Sequence, residues 1–165
     1  MTRWLVSGAL LLAGCRGAAD QPVANGSSGD RLEAAAVAVG LVVDPARRSL
    51  VGTWGRETDR ACIVPGAGED LGMGVLVDYG AGQGCTARGS VRRRGEALDV
   101  AFGGCRFTAR FDGARITFPA EVPASCERLC SGRASLAALS VDALSPSASE
   151  AAVLRAPDGK PLCPS

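Results

Sequence analysis

Between Met73 and Phe118 the chain alternates apolar and polar residues with a period of two. Met73, Val75, Val77 and Tyr79 alternate with Gly74, Leu76 and Asp78. After the loop Gly80-Ala81-Gly82-Gln83-Gly84, Cys85, Ala87, Gly89 and Val91 alternate with Thr86, Arg88, Ser90 and Arg92. The turn Arg93-Arg94-Gly95-Glu96 leads to Leu98, Val100 and Phe102. Gly103-Gly104 leads to Cys105, Phe107, Ala109 and Phe111, and Asp112-Gly113 to Ala114, Ile116 and Phe118. Alternation bounded by turn residues is the signature of half-buried strands. Pairing across the turns sets Val77 opposite Ala87, Val91 opposite Leu98, Phe102 opposite Cys105, Val100 opposite Phe107 and Leu98 opposite Ala109. It also sets Phe111 opposite Ala114, Ala109 opposite Ile116 and Phe107 opposite Phe118. A slip of one residue would turn any of these side chains into water. The pattern predicts a mainly β fold: an antiparallel meander or small barrel, stapled by disulfides, with short flanking helices.

Other elements flank this meander. Leu50-Val51-Gly52-Thr53-Trp54 begins the sheet, and Cys62 falls in the strand that follows. Upstream, Asp30 and Glu33 fit a helix cap. Leu32, Ala36, Val39 and Val43 then share one helical face, which predicts a helix over 31–42, stopped before Pro45. Such a helix is expected to pack on the domain; its other use would be as a lever or partner helix. Residues 16–29 are polar and Gly/Ser-rich and read as a flexible tether. Downstream, Pro123 to Cys130 reads as a short helical turn. Leu139, Val141 and Ala143 favour a strand, although Leu136, Leu139 and Ala143 would also suit a helix. Ser147 and Glu150 cap a helix to about Arg155, and Cys163 staples the tail. The organisation is therefore a leader (1–14), a tether (15–29) and one disulfide-stapled β-rich domain with an N-terminal helix (30–165).

The leader changes the picture. Arg3 precedes the apolar run Trp4 to Leu12, which is too short for a stable bilayer anchor and reads as a secretory signal. Leu12-Ala13-Gly14-Cys15 resembles the lipobox of bacterial lipoproteins. That resemblance implies cleavage before Cys15, a diacylglycerol on its thiol and an acyl chain such as palmitate on the new amine. At about 0.8 kcal/mol per buried CH₂, three chains hold a protein on a membrane. Arg16, rather than Asp, follows Cys15, which implies the outer membrane, facing the periplasm or the surface.

Export also sets the redox compartment. Of seven cysteines, one is Cys15, so Cys62, Cys85, Cys105, Cys126, Cys130 and Cys163 remain. An even number in an exported chain reads as disulfides. Cys85 and Cys105 face the apolar side at the same end of the meander, which predicts a bridge between them. Cys62, Cys126, Cys130 and Cys163 then pair in an open combination. A zinc site is not expected, because the Cys126/Cys130 pair has no second pair behind it and the chain has no histidine.

Charge is balanced. Of the 18 basic residues, the 17 that remain without Arg3 equal the 17 acidic ones, so no global basic field attracts nucleic acid. The polar face of the meander nevertheless carries Arg88, Arg92, Arg106, Arg110 and Arg115, diluted by Asp78 and Asp99. Arg110 is expected opposite Arg115, an unfavourable pair. Arg88, Arg106, Arg110 and Arg115 are therefore a candidate anion-binding set for lipid phosphate or a glycan carboxylate, against the alternative of a solvated outer face. For catalysis, no histidine is present and the cysteines are expected oxidised. The carboxylate pairs Glu57/Asp59 and Glu69/Asp70 lie in polar, turn-like sequence. No enzyme activity, cofactor or metal is expected.

Gly52-Thr53-Trp54 resembles the start of lipocalin-like barrels. It is also similar to small periplasmic inhibitors of serralysin-type metalloproteases, which place a cysteine after such a tryptophan, as Cys62 follows Trp54. The resemblance implies that Trp54 closes one end of a barrel core and that Cys62 bridges Cys85. The register above opposes that bridge, because it sets the two about 20 Å apart along the strands. Those inhibitors act through an N-terminal segment, and nothing in residues 16–29 identifies one. The expected function is a non-catalytic envelope lipoprotein that binds an envelope protein or an anionic envelope component. The alternatives are an inhibitor of an exported hydrolase and a carrier of a small apolar ligand. Inward-facing Phe102, Phe107, Phe111 and Phe118 predict a solid core, against the carrier.

Overall fold

A computed structural model describes residues 27–41, 44 and 47–164. Eight strands form a closed antiparallel barrel in chain order. They are β1 (Gly52–Arg56), β2 (Asp59–Val64), β3 (Leu71–Asp78), β4 (Gly84–Arg94), β5 (Ala97–Phe102), β6 (Cys105–Phe111), β7 (Arg115–Thr117) and β8 (Ser140–Ser145). β8 returns to β1 through Thr53↔Ser145 and Gly55↔Asp142, with a bulge at Thr53/Trp54. Among the described residues three helices accompany the barrel: α1 (Ser28–Ala38), α2 (Ala124–Glu127) and α3 (Ala148–Val153).

The alternation selects the inner face. Met73, Val75, Val77, Val91, Leu98, Val100, Phe111 and Ile116 are all buried in one core. Gly89 lies on the same face, where a Cβ would overlap the carbonyl oxygen of Ala101, so its bare backbone lets β4 bend onto β5. Trp54, 2% exposed, fills the end where the chain enters the barrel. Its ring meets Phe111 edge-on at 5.7 Å, and its Nε1 donates to the Leu50 carbonyl at 3.0 Å. The Arg93 guanidinium lies 4.7 Å from the Phe111 ring centre. At the other end, the long β7–β8 connection buries Leu136 and Leu139 as a plug.

Three turn registers differ from expectation, each by two residues. Val77 faces Cys85 rather than Ala87, and Val91 faces Val100 rather than Leu98. Phe111 faces Ile116 rather than Ala114. Only the Gly103-Gly104 hairpin has the expected pairs, Phe102↔Cys105, Val100↔Phe107 and Leu98↔Ala109. At the β4–β5 turn β4 runs on through Arg93 and Arg94 to pair Arg94 with Ala97, and at the β3–β4 turn pairing stops at Asp78↔Gly84, which leaves Tyr79 in the loop. At the β6–β7 turn Asp112 Oδ1 accepts from the Ala114 and Arg115 amides and lengthens the loop. A shift of two preserves the face, so residues within the strands keep their sides, but Tyr79 and Ala114, expected on the inner face, fall in the turns and are exposed.

The disulfides correct a second expectation. Cys85 and Cys105 do not bridge. They pair with Cys130 and Cys126, and Cys62 pairs with Cys163. Cys85 and Cys105 do sit at one end, but β5 separates their strands. Two interstrand spacings are about 9–10 Å, beyond the roughly 7 Å that a disulfide spans between Cα atoms. Instead, the Cys126/Cys130 pair sits one helical turn apart on the plug, and each member reaches one of the two strands. The Cys62–Cys85 bridge implied by the inhibitor resemblance is also absent. Cys62 faces Gly74 on β3 and Cys85 faces Val77, three positions away and not about 20 Å.

Cys62 points outward into a second, external core. There α3 and the tail cover β1–β3 with Ala151, Ala156, Leu162 and Cys163. Ser147 caps α3 by accepting from the Glu150 amide, as its spacing predicts, but the helix ends at Val153 instead of Arg155. α1 departs more. Its cap is Ser27, reciprocally bonded with Asp30, so Ser28 and Gly29 of the expected tether are helical. None of its residues is buried, and Leu32 is 74% exposed, so it does not pack on the barrel as expected. Its apolar positions are mostly alanine, too small to anchor a helix by burial. Cys15 and most of the expected tether lie outside the described residues.

Candidate functional site

The arginines singled out from sequence do face outward, but the barrel distributes them among carboxylates. Arg92 holds Asp70 at 2.7 Å and Arg115 holds Asp142 at 2.6 Å. Arg88 reaches Asp158 at 3.3 Å and the Pro161 carbonyl at 2.8 Å, tying the tail down. Arg110 lies 3.9 Å from Glu96 and faces Thr117, so the expected Arg110–Arg115 clash does not exist. Hydrogen bonding from Arg92 lowers the pKa of Asp70, and hydrogen bonding from Arg94 (2.6 Å) lowers that of Asp99. Of the four candidate anion ligands, only Arg106 has no ion pair among the described residues. The set is thus not gathered into one site.

The carboxylate pairs are separated in role. Asp70 and Glu69 both serve Arg92. Asp59 accepts from the Asp78 amide at 3.2 Å, and its pKa is raised, first by burial and also by nearby Glu57. All six cysteines of the barrel are in disulfides. Among the described residues no group of three or more acidic, cysteine or histidine side chains is placed to hold a metal.

A feature that the sequence reading missed is the seam between β6 and β7. β5 pairs with β6 from Cys105 to Arg110, whereas β7 pairs only at Arg110↔Thr117 and Phe111↔Ile116. Continued, that register would set Pro119 against Thr108. Proline has no N–H to give, and the Pro119 carbonyl instead accepts from Ala138 at 2.8 Å. The chain peels away from β6 there. Phe111 N–H donates to the Glu96 carbonyl, on the β5 side. By the alternation of an antiparallel ladder, the N–H and C=O of Arg106 and Thr108 face the opening. They have no backbone partner among the described residues.

Side chains line this opening accordingly. Phe107 points inward yet is only half-buried, with its ring 4.7 Å from Phe118 and 6.2 Å from Phe102. A recess of about 450 Å³ lies over the seam, lined by Glu96, Thr108, Arg110, Thr117, Phe118 and Pro119 among others. A second of about 480 Å³ adjoins it across Thr108, lined by Ser90, Arg92, Asp99 and Arg106 among others. The signal that could have located the seam was Pro119, placed where a continuing strand would need a donor.

No protein-family model, curated protein or solved structure matches this chain.

Proposed function

We propose that this protein is a lipid-anchored lipoprotein of the bacterial envelope and that its barrel is a non-catalytic binding module. One observation carries the second half of that reading. The barrel interior is filled by side chains, among them Trp54, Phe111, Met73, Leu98, Ile116 and Leu136, each 2% exposed or less. A small barrel packed in this way leaves its outer surface to do the work, which disfavours the carrier of an apolar ligand. Three disulfides fit an oxidising, exported setting. The anchor rests on Leu12-Ala13-Gly14-Cys15, through which the membrane is the first partner.

Palmitate labelling in cells tests the anchor. The unsubstituted protein should label and partition with membranes, and Cys15→Ala should remove the label. An unlabelled, soluble parent protein would overturn it. A second reading, inhibition of an exported hydrolase, is favoured by α1, which precedes the barrel with no residue buried in it. Failure to inhibit a panel of secreted metallo- and serine proteases would remove that reading.

A further inference from the structure

We infer that the open edge of β6 is a docking site for an extended, acidic peptide segment, which adds as a strand beside Arg106–Ala109. This deepens the binding-module reading and does not use the lipid anchor. Three observations converge on it.

The first is the unpaired backbone. Arg106 and Thr108 present two N–H and two C=O groups toward the seam, with no backbone partner among the described residues. An exposed edge of this kind is a template for another strand. The second is the aromatic floor. A strand laid antiparallel to β6 would point alternate side chains inward, over half-buried Phe107 and beside Phe118. Small or medium apolar residues suit those positions. The third is charge. The outward positions of the added strand would lie beside Arg106, which has no ion pair among the described residues, and Arg110, whose contact with Glu96 is exposed and long at 3.9 Å. Glutamate or aspartate suits those positions, through charge-assisted forks.

The same arginines disfavour a second copy of this chain. Two β6 edges paired antiparallel about Thr108 would need each Arg106 to lie against the other copy's Arg110, where Thr117 of β7 already sits, and would bring like charges together twice over. Like charges directly opposite are destabilising. The edge therefore rejects itself and accepts an acidic strand, so the occupant is a peptide of alternating apolar and acidic residues.

The test uses the full-length protein, purified after its own processing, and a fluorescein-labelled ten-residue peptide alternating Val and Glu. The control alternates Val and Lys. Fluorescence anisotropy at about 50 mM salt should show the Val-Glu peptide binding at least tenfold tighter than the control. Arg106→Glu should invert that preference. Thr108→Pro removes an N–H that faces the seam and not β5, so the barrel should keep its circular dichroism while peptide affinity falls at least tenfold. Equal binding of both peptides overturns the inference. So does unchanged binding by a folded Thr108→Pro variant, or a dimer that this variant disperses, which would put a second copy on the edge. If Thr108→Pro loses its fold, the Arg106→Glu inversion decides alone. Peptide binding without palmitate labelling would refute the anchor only, and labelling without peptide binding would refute this inference only.

Discussion

Gly74→Ala tests how the tail is held. Gly74 lies on the outer face of β3, directly opposite Cys62. The tail crosses there, and Cys163 is bonded to Cys62. A methyl at Gly74 would overlap the Leu162 carbonyl oxygen. It would also lie 2.6 Å from that carbonyl carbon and 3.0 Å from the Cys163 nitrogen. All three atoms are backbone, so no side chain can swing aside. The tail would have to rise by about 1 Å to reach an ordinary contact, and the disulfide opposes that movement. Overpacking of this kind costs about 1–3 kcal/mol. Lifting Leu162, now 1% exposed, forfeits part of the roughly 1.5–3 kcal/mol gained by burying it. The expected loss is about 2–4 kcal/mol. Urea unfolding of the oxidised protein should show a lower midpoint at an unchanged slope. In a Cys62→Ala/Cys163→Ala background the tail is free to lift, so the same substitution should cost at least about 1 kcal/mol less, a coupling that a mutant cycle measures directly. Gly72→Ala is the control. Its nearest neighbours are the side-chain atoms Val64 Cγ2 at 2.9 Å and Pro164 Cγ at 3.0 Å, so it should cost under about 1 kcal/mol. A Gly74→Ala cost below about 0.5 kcal/mol, or an equal cost in both backgrounds, would refute the reasoning.

Other substitutions test other features. Glu57 opens the two-residue β1–β2 turn at φ 52°, a place that Gly95 and Gly103 hold at 65° and 62° in their own turns. Glu57→Gly should therefore raise stability by about 0.5–1 kcal/mol, visible as a melting temperature a few degrees higher. Asp59 has a raised pKa because burial opposes its charge. Its protonation favours the fold below the unfolded carboxylate pKa, and that gain disappears as pH rises through the folded value. Asp59→Asn should accordingly stabilise the protein at pH 7 and give no gain at pH 3; equal effects at both would contradict this. Leu32→Ala, on a residue 74% exposed, should change barrel stability by less than about 0.5 kcal/mol in thermal unfolding.

Parity was legible in the chain and register was not. Alternation tells which side of a strand each residue takes, because a pleat has only two faces. It is blind to shifts of two, which keep every side chain on its face. Val91 therefore meets Val100 and not Leu98 with no change in what is buried. The length of each turn decides that choice, through local bonds such as those to Asp112. The same limit spoiled the charge reading. Arg110 and Arg115 were rightly placed on the outer face, but their partners, Glu96 and Asp142, depend on register and on barrel closure.

By itself, then, the sequence determined the mainly β class, the inner and outer sides of the residues within the meander's strands, the cap of α3 and the use of the six later cysteines in disulfides. These follow from local periodicity, capping chemistry and cysteine number, all of which act over a few residues. Only the tertiary structure decided that β1 closes onto β8, that Cys126 and Cys130 reach two different strands, that α1 stays off the barrel and that β6 keeps an open edge. Each of these depends on where distant segments meet in space. Disulfide pairing needs Cα atoms within about 7 Å, and a strand edge is filled or left open by what the neighbouring chain can donate. Pro119 could be read as a missing N–H from the start, but only the fold showed that Thr108 was the residue left facing it.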